Sequence, residues 1–267
     1  MPAEALALAL AAAFLHAAWN VLLRGSADVA ARTVAVLCWS VVLFAPVAAA
    51  TWRVEVAALP YIGASAALEG IYFVLLIAAY RRRELSVVYP VARGSAPAFV
   101  LAGTAVVLGH AATGAEIAGV LLVTAGVVLV RGFRRGAEGI GVGLAIGVAI
   151  ASYTLVDKEG LRHAAPVPYL ELVLLPLALI ALVARPRALR TELSWTTVAA
   201  AIGSFGAYVL FLFALRLTAA PGVAAVRETS VVIGAALAAV FLHEHVTWPR
   251  FAGAAAVAGG VAILAVA

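Results

Sequence analysis

What most constrains this chain is the spacing of its charges. Ten apolar runs, each close to the length of a membrane span, are separated by short clusters of charged and turn-forming residues. A helix needs about 20 mainly apolar residues to cross a bilayer core. Candidates lie near 5–24, 34–52, 57–80, 85–109, 115–131, 139–158, 167–184, 195–217, 219–242 and 250–267. The expected fold is all-α: a polytopic membrane protein of ten transmembrane helices, with 1–267 forming a single membrane domain. Composition excludes the soluble alternative. Hydrophobic residues make up 66% of the chain and charged residues 12%, against about 45–50% and about 25% in soluble domains. A water-soluble core of this size cannot bury that surplus.

The net charge of +5 does not point to nucleic acid. The basic residues form no face with interleaved aromatics; they sit between apolar runs, as in polytopic membrane proteins. Cys38, the single cysteine, excludes a disulfide framework and a thiolate metal cluster. The N-terminal run MPAEALALAL has no basic leader and reads as the first helix rather than a cleaved signal. Trp52, Trp195 and Trp248 fall at run ends, where indole favours the headgroup zone.

An internal repeat organises the chain. A shift of 134 places Glu116–Gly119 on Arg250–Gly253, Gly126 on Gly260, Arg93 on Arg227, Leu108 on Leu242, Trp19 on Tyr153 and Arg24 on Lys158. Upstream of Arg81–Arg83 the shift becomes 136 and matches Gly70 and Tyr72 with Gly206 and Tyr208. Two repeats follow, 1–133 and 134–267, each of five spans. The odd number inverts the second relative to the first, a recurrent design of secondary transporters with the site near mid-membrane between the halves. Loops after the odd-numbered spans hold twelve arginines and the opposite side four basic residues, so the positive-inside rule puts both termini outside.

Ionisable side chains inside the spans mark the candidate site, because a charge at a helix centre costs about 2.5–3.5 kcal/mol on insertion scales. They are His16, Glu69, Arg93, Glu171 and the Arg227/Glu228 pair. The symmetry-related Arg93 and Arg227 could present planar donors to a carboxylate or phosphonate-like group. Equally, each could be neutralised by an internal carboxylate, and Glu69 and Glu228 supply the right number. Glu228 adjoins Arg227 and cannot face it on one helix, so its partner belongs to another helix. Glu69 is the candidate for proton coupling, or else a salt-bridged carboxylate. His16, Trp19 and Asn20 could line a cavity or make a polar helix contact. Glu171 and Tyr169 lie near a helix entrance.

Other motifs carry no chemistry. His243-Glu244-His245 looks metal-like, but residues two apart point to different sides of a helix. Gly139, Gly143 and Gly147 have the spacing of close helix packing. There is no Walker A loop, GxSxG, HExxH or CxxC. The chain is therefore expected to be neither an enzyme nor an ATP-driven pump, and to need no metal and no cofactor.

Several stretches resemble the EamA branch of the drug/metabolite transporter superfamily. They are Leu15-His-Ala-Ala-Trp19-Asn20, Ala79-Tyr80 through Leu85-Ser-Val-Val-Tyr89-Pro-Val-Ala-Arg93-Gly94, Val226-Arg-Glu-Thr-Ser230, and Leu242-His-Glu244. The last is similar to a Leu-Gly-Glu that closes the fourth and ninth helices of many members; its first copy here reads Leu108-Gly-His110. The resemblance implies ten helices in two inverted five-helix repeats; in the carrier reading, helices 3, 4, 8 and 9 line the cavity. It also implies both termini in the cytoplasm, opposite to the arginine bias. Members similar in the Tyr-Pro-x-Ala-Arg-Gly and Arg-Glu-Thr-Ser segments are associated with phosphonate utilisation.

The expected function is a secondary-active permease or exporter in the cell (inner or plasma) membrane. It moves a small polar, anionic or zwitterionic metabolite by alternating access. Arg93, Arg227, Glu69, Glu228, Tyr89, His16, Trp19, Asn20, Tyr72 and Tyr208 are the candidate substrate-binding or gating residues. The expected partners are that small-molecule substrate, the lipid bilayer and, in one reading, protons. A lipid-linked flippase and a polyspecific amine exporter are the alternatives. A channel is disfavoured, since no charge ring or selectivity loop can be proposed. Monomer and homodimer both stay open.

Overall fold

The computed structural model describes residues 1–23, 28–82, 85–107, 109, 111–131, 139–242 and 247–267, with the side chains of 80–82, 85–87, 131 and 238–242 outside that description. Several residues named above therefore lie outside it: Arg24, Arg83, Leu108, His110, Arg134, Arg135 and His243-Glu244-His245, together with the side chains of Tyr80, Arg81, Arg82, Leu85, Arg131 and Leu242.

The described chain is all helical. Long helices are α1 (Ala3–Leu23), α2 (Val29–Ala50), α3 (Leu59–Arg82), α4 (Leu85–Val107), α5 (Gly114–Arg131), α6 (Ile140–Gly160) and α7 (Pro166–Ala184). A short α8 (Ala188–Thr191) precedes α9 (Trp195–Leu217), α10 (Ala220–Arg227), α11 (Thr229–Leu242) and α12 (Trp248–Val266). Starts are set by local chemistry. Asp28 caps α2 by accepting from the Ala31 N–H at 2.9 Å, and Ser194 caps α9 through the Thr197 N–H at 3.2 Å. Thr113 and Glu116 close a reciprocal capping box at the start of α5, at 2.9 and 3.1 Å. Prolines open α7, α10 and α12, where the missing N–H costs no helical bond.

Among the described residues, nine segments are long and apolar enough to cross a membrane, and Gly114–Val130 is a shorter apolar helix. This places every expected run in a helix, with the fifth shorter than its fellows. The ninth expected span departs from a single helix: it divides at Glu228 into α10 and α11. There the Glu228 N–H bonds to Ala225 O and the Val231 N–H to Glu228 O, both three residues back. The turn is tightened in the 3₁₀ manner. Faces toward lipid are apolar, as Leu179, Ile180 and Val183 of α7 show, and Trp52, Trp195 and Trp248 stand exposed at helix ends.

Packing has a reciprocal pattern. The α5–α12 pair is antiparallel and crosses on glycine: a Cβ at Gly126 would meet Gly253 O at 2.7 Å and Val257, and one at Gly260 would meet Gly119 O at 2.7 Å and Val123. Each of these contacts is the other with its members exchanged under the shift of 134, the self-complementary form of an interface on a two-fold axis. Likewise α1 packs on α9 while α6 packs on α3, and α2 packs on α7. Gly143 and Gly147 bring α6 against Val91, Ala92 and Ser95 of α4. Gly139 does not share that role; it sits before α6 with a left-handed φ of 92°.

Both ends of the α2–α7 region are tied. At one end Val54 and Ala164 form an antiparallel bridge, with Glu55 and His163 at 3.1 Å. At the other, Arg185 meets Asp28 and Arg32 meets Glu192, each at 3.0 Å. Loop alternation puts these two ties on opposite sides of the bilayer.

Candidate functional site

Helical spacing collects a polar stripe on each of three helices. Ser65, Glu69 and Tyr72 follow i, i+4, i+7 on α3; Tyr153 and Asp157 are i, i+4 on α6; Tyr208 and Phe211 are i, i+3 on α9. Since α3 packs on α6, and α9 also touches α6, the stripes meet inside the bundle. Asp157 is 1% exposed and Glu69 4%. The Tyr208 hydroxyl lies 2.6 Å from Glu69 Oε1 and 2.8 Å from Asp157 Oδ2. The other Asp157 oxygen accepts from the Ser65 hydroxyl at 2.5 Å and the Tyr169 hydroxyl at 2.9 Å. Tyr169 reaches Asp157 because residue 160 is glycine: a Cβ there would meet the Tyr169 ring at 2.5 Å.

A ladder of rings extends from this cluster. Tyr72, Tyr153 and Tyr208 are in edge contact at centroid distances of 6.4 and 6.3 Å, and Phe211 follows Tyr208 at 6.0 Å. The Arg227 guanidinium lies over Phe211 at 4.4 Å and over Tyr208 at 5.2 Å. Both distances suit a cation–π contact. Glu69, Asp157, Tyr153 and Tyr72 all lie within its electrostatic reach.

The two arginines that the repeat equates occupy unequal surroundings. Arg93, 7% exposed, faces the 3%-exposed Glu228 with Nε and Oε2 3.0 Å apart, and its Nη2 donates to Ser230 Oγ at 3.2 Å. The partner of Glu228 is thus on another helix, as adjacency to Arg227 requires. Arg227 is only partly buried and makes neither hydrogen bond nor ion pair among the described residues. The break at Glu228 separates their directions: Glu228 turns toward α4 and Arg227 toward α9.

The remaining candidates divide. Tyr89 stands one turn before Arg93 and within its electrostatic reach. Tyr72 and Tyr208 join the central cluster. His16, Trp19 and Asn20 are partly buried on α1. His16 and Trp19 touch edge to face at 5.4 Å, Asn20 donates to His16 O at 2.7 Å, and Trp19 packs on Gly203 of α9. Trp19 thus serves the α1–α9 contact, and the described contacts of His16 and Asn20 lie within α1. Glu171, near the start of α7, is buried at 7% exposed, and its Oε2 has no hydrogen-bond partner among the described residues. Among the described residues no three His, Cys, Asp or Glu side chains group as metal ligands; His243-Glu244-His245 lies outside them.

Asp157 and Ser65 escape the sequence reading, and Tyr153 and Tyr169 enter it without a place in the candidate site. Asp157 opens the run Asp157-Lys158-Glu159, which looks like a helix end at the headgroups. The helix continues to Gly160, and the Lys158 Nζ turns away to Leu215 O and Thr218 O. The available signal was Tyr153 and Asp157 at i, i+4.

Comparison with known proteins adds two likenesses. A family model described as the EamA-like transporter family matches residues 137–266. One solved crystal structure covers 98% of this chain and 96% of its own, at a TM-score of 0.74 and 18% identity, which shows a shared fold. None of the curated proteins matches the chain.

Proposed function

We propose that this chain, whose residues 137–266 match the EamA-like transporter family, is a membrane transporter that carries a small anionic metabolite by alternating access, with Arg227 as the principal substrate ligand. The observation that carries this reading is the asymmetry of the arginines. A cation in a low-dielectric site is costly unless it is paired. Arg93 has Glu228 at 3.0 Å. Arg227 rests on two aromatic faces and has its N–H donors unused among the described residues. A planar guanidinium offers paired donors to a carboxylate or phosphonate group, and the rings of Tyr208, Phe211 and Tyr153 provide the apolar walls typical of ligand sites.

Tyr72 and Tyr208, which the sequence repeat equates, stand on α3 and α9 beside this cation. That placement agrees with a site between inverted halves near mid-membrane. Arg93, Glu228 and Ser230 form the structural side of the site and hold α4 against the α10–α11 break.

The test is a thermal-shift panel on detergent-purified protein with phosphonates, small carboxylates, amino acids, amines and neutral sugars. A ligand that binds only the folded state at one hundred times its Kd stabilises by about 2.7 kcal/mol. Anions are expected to raise the melting temperature in wild type and not in Arg227→Gln. A shift by amines alone, or an anion shift that survives Arg227→Gln, refutes the assignment.

A further inference from the structure

Glu69 and Asp157 lie within electrostatic reach of Arg227, and the role inferred for them rests on the reading of Arg227 as an anion ligand. Tyr208 has one hydroxyl proton, yet its oxygen sits at hydrogen-bond distance from two carboxylate oxygens, Glu69 Oε1 at 2.6 Å and Asp157 Oδ2 at 2.8 Å. With both carboxylates ionised, one of those oxygens would face a lone pair at that distance, with like charges close together in a buried site. A proton on either carboxyl resolves this: that carboxyl donates to the Tyr208 oxygen, and Tyr208 donates to the other. Ser65 and Tyr169 already give their protons to the far oxygen of Asp157, so they cannot supply the missing one.

A second, independent observation ties this site to the substrate site. The Arg227 guanidinium lies over the ring of the same Tyr208 and within electrostatic reach of both carboxylates. The charged and titratable groups facing the pair are Tyr153 on α6, Tyr169 on α7, Tyr208 on α9 and Arg227 on α10; Tyr72 on α3 and Tyr89 and Arg93 on α4 stand beyond them, beside Tyr153. Arg93 is neutralised by Glu228. The two carboxylates therefore share one effective countercharge, Arg227, and one proton brings the group to neutrality.

We propose that Glu69 and Asp157, bridged by Tyr208, are the proton-binding site of this transporter, and that an anion seated on Arg227 draws a further proton onto them. The anion occupies the charge that offsets the carboxylates, so their combined negative charge is relieved by taking one proton from water. Nothing else is transferred. Substrate and proton then bind cooperatively, the thermodynamic basis of anion–proton symport, and by linkage each raises the affinity of the other by the same factor.

Infrared difference spectroscopy on the whole protein tests the site without any ligand. A protonated-carboxyl C=O band is expected in wild type at neutral pH, lost in both Glu69→Gln and Asp157→Asn. Using both variants guards against one failing to fold. Its absence in wild type overturns the proposal. Arg227→Gln removes the countercharge without a substrate, and the band should then persist to higher pH; an unchanged band overturns the coupling. Proton uptake is then read with an indicator dye in weak buffer on adding lactate or methanesulfonate, both ionised throughout. Uptake in wild type that disappears in Asp157→Asn supports the proposal. Binding without uptake overturns the coupling and leaves the anion site standing. If neither anion binds yet Arg227→Gln extends the band, the proton site stands and the anion reading fails.

Discussion

Replacing Arg93 by Met should unfold this protein far more readily than the same change at Arg227, although the repeat treats the two positions as equivalent. Arg93 is 7% exposed and faces Glu228, 3% exposed, at 3.0 Å, with a further hydrogen bond to Ser230. Removing one member of a buried ion pair costs about 3–5 kcal/mol, because the other charge stays in low dielectric. Methionine keeps most of the side-chain length, so little of that figure comes from a cavity. Arg227 has its aromatic contacts to lose, about 0.5–2 kcal/mol for a cation–π pair, and the countercharge it withdraws from Glu69 and Asp157 is replaced by a proton from water. At about 2–4 °C per kcal/mol, Arg93→Met should melt on the order of 10 °C below wild type and Arg227→Met within a few degrees of it. Fluorescence-monitored melting in one detergent measures both. The double variant Arg93→Met/Glu228→Gln removes both charges and should recover much of the loss, giving a non-additive cycle. If Arg93→Met melts with wild type, or the double variant is no better than the single, the pair does not hold α4 to the break and the division of roles between the arginines is wrong.

Other consequences can be measured on the same preparation. Gly126→Val should cost about 1–3 kcal/mol by overpacking, because its Cβ would meet Gly253 O at 2.7 Å; Gly63→Val, with nothing within 4 Å, is the control and should melt near wild type. Gly160→Ala should push Tyr169 off Asp157; comparing it with Tyr169→Phe separates the lost hydrogen bond, about 1 kcal/mol, from the steric term, and equal melting of Gly160→Ala and wild type would refute the close fit. The Ala31 N–H and Arg185 hold the Asp28 carboxyl below its usual value of 3.8. A lowered folded value means that Asp28 stabilises fully above the unfolded value and loses that contribution as pH falls through the folded one. Asp28→Ala should therefore lower the melting temperature at neutral pH and leave it unchanged in strong acid; a pH-independent gap would refute the sign.

What the residues alone determine here is the solvent and the secondary structure. Hydropathy over a run of about 20 residues is a local sum, and in lipid the backbone has only its own helix to satisfy it. Thus α1, α2 and α7 fall where their apolar runs lie, and the family resemblance rests on short segments such as Val226-Arg-Glu-Thr-Ser230. Gly119, Gly126, Gly253 and Gly260 could be matched by a shift along the sequence, but their reciprocal contact belongs to two helices in space. The chemistry is likewise a property of pairs. Adjacency keeps Glu228 from facing Arg227 but does not say that its partner is Arg93; the turn at Glu228 and the position of α4 give one arginine a carboxylate and the other an aromatic surface. Asp157 reads as a headgroup residue until α6 is seen to continue past it and α3, α7 and α9 to converge on it. Burial and pairing are set by what neighbouring helices bring, and a linear pattern carries no record of that beyond the helix that bears it.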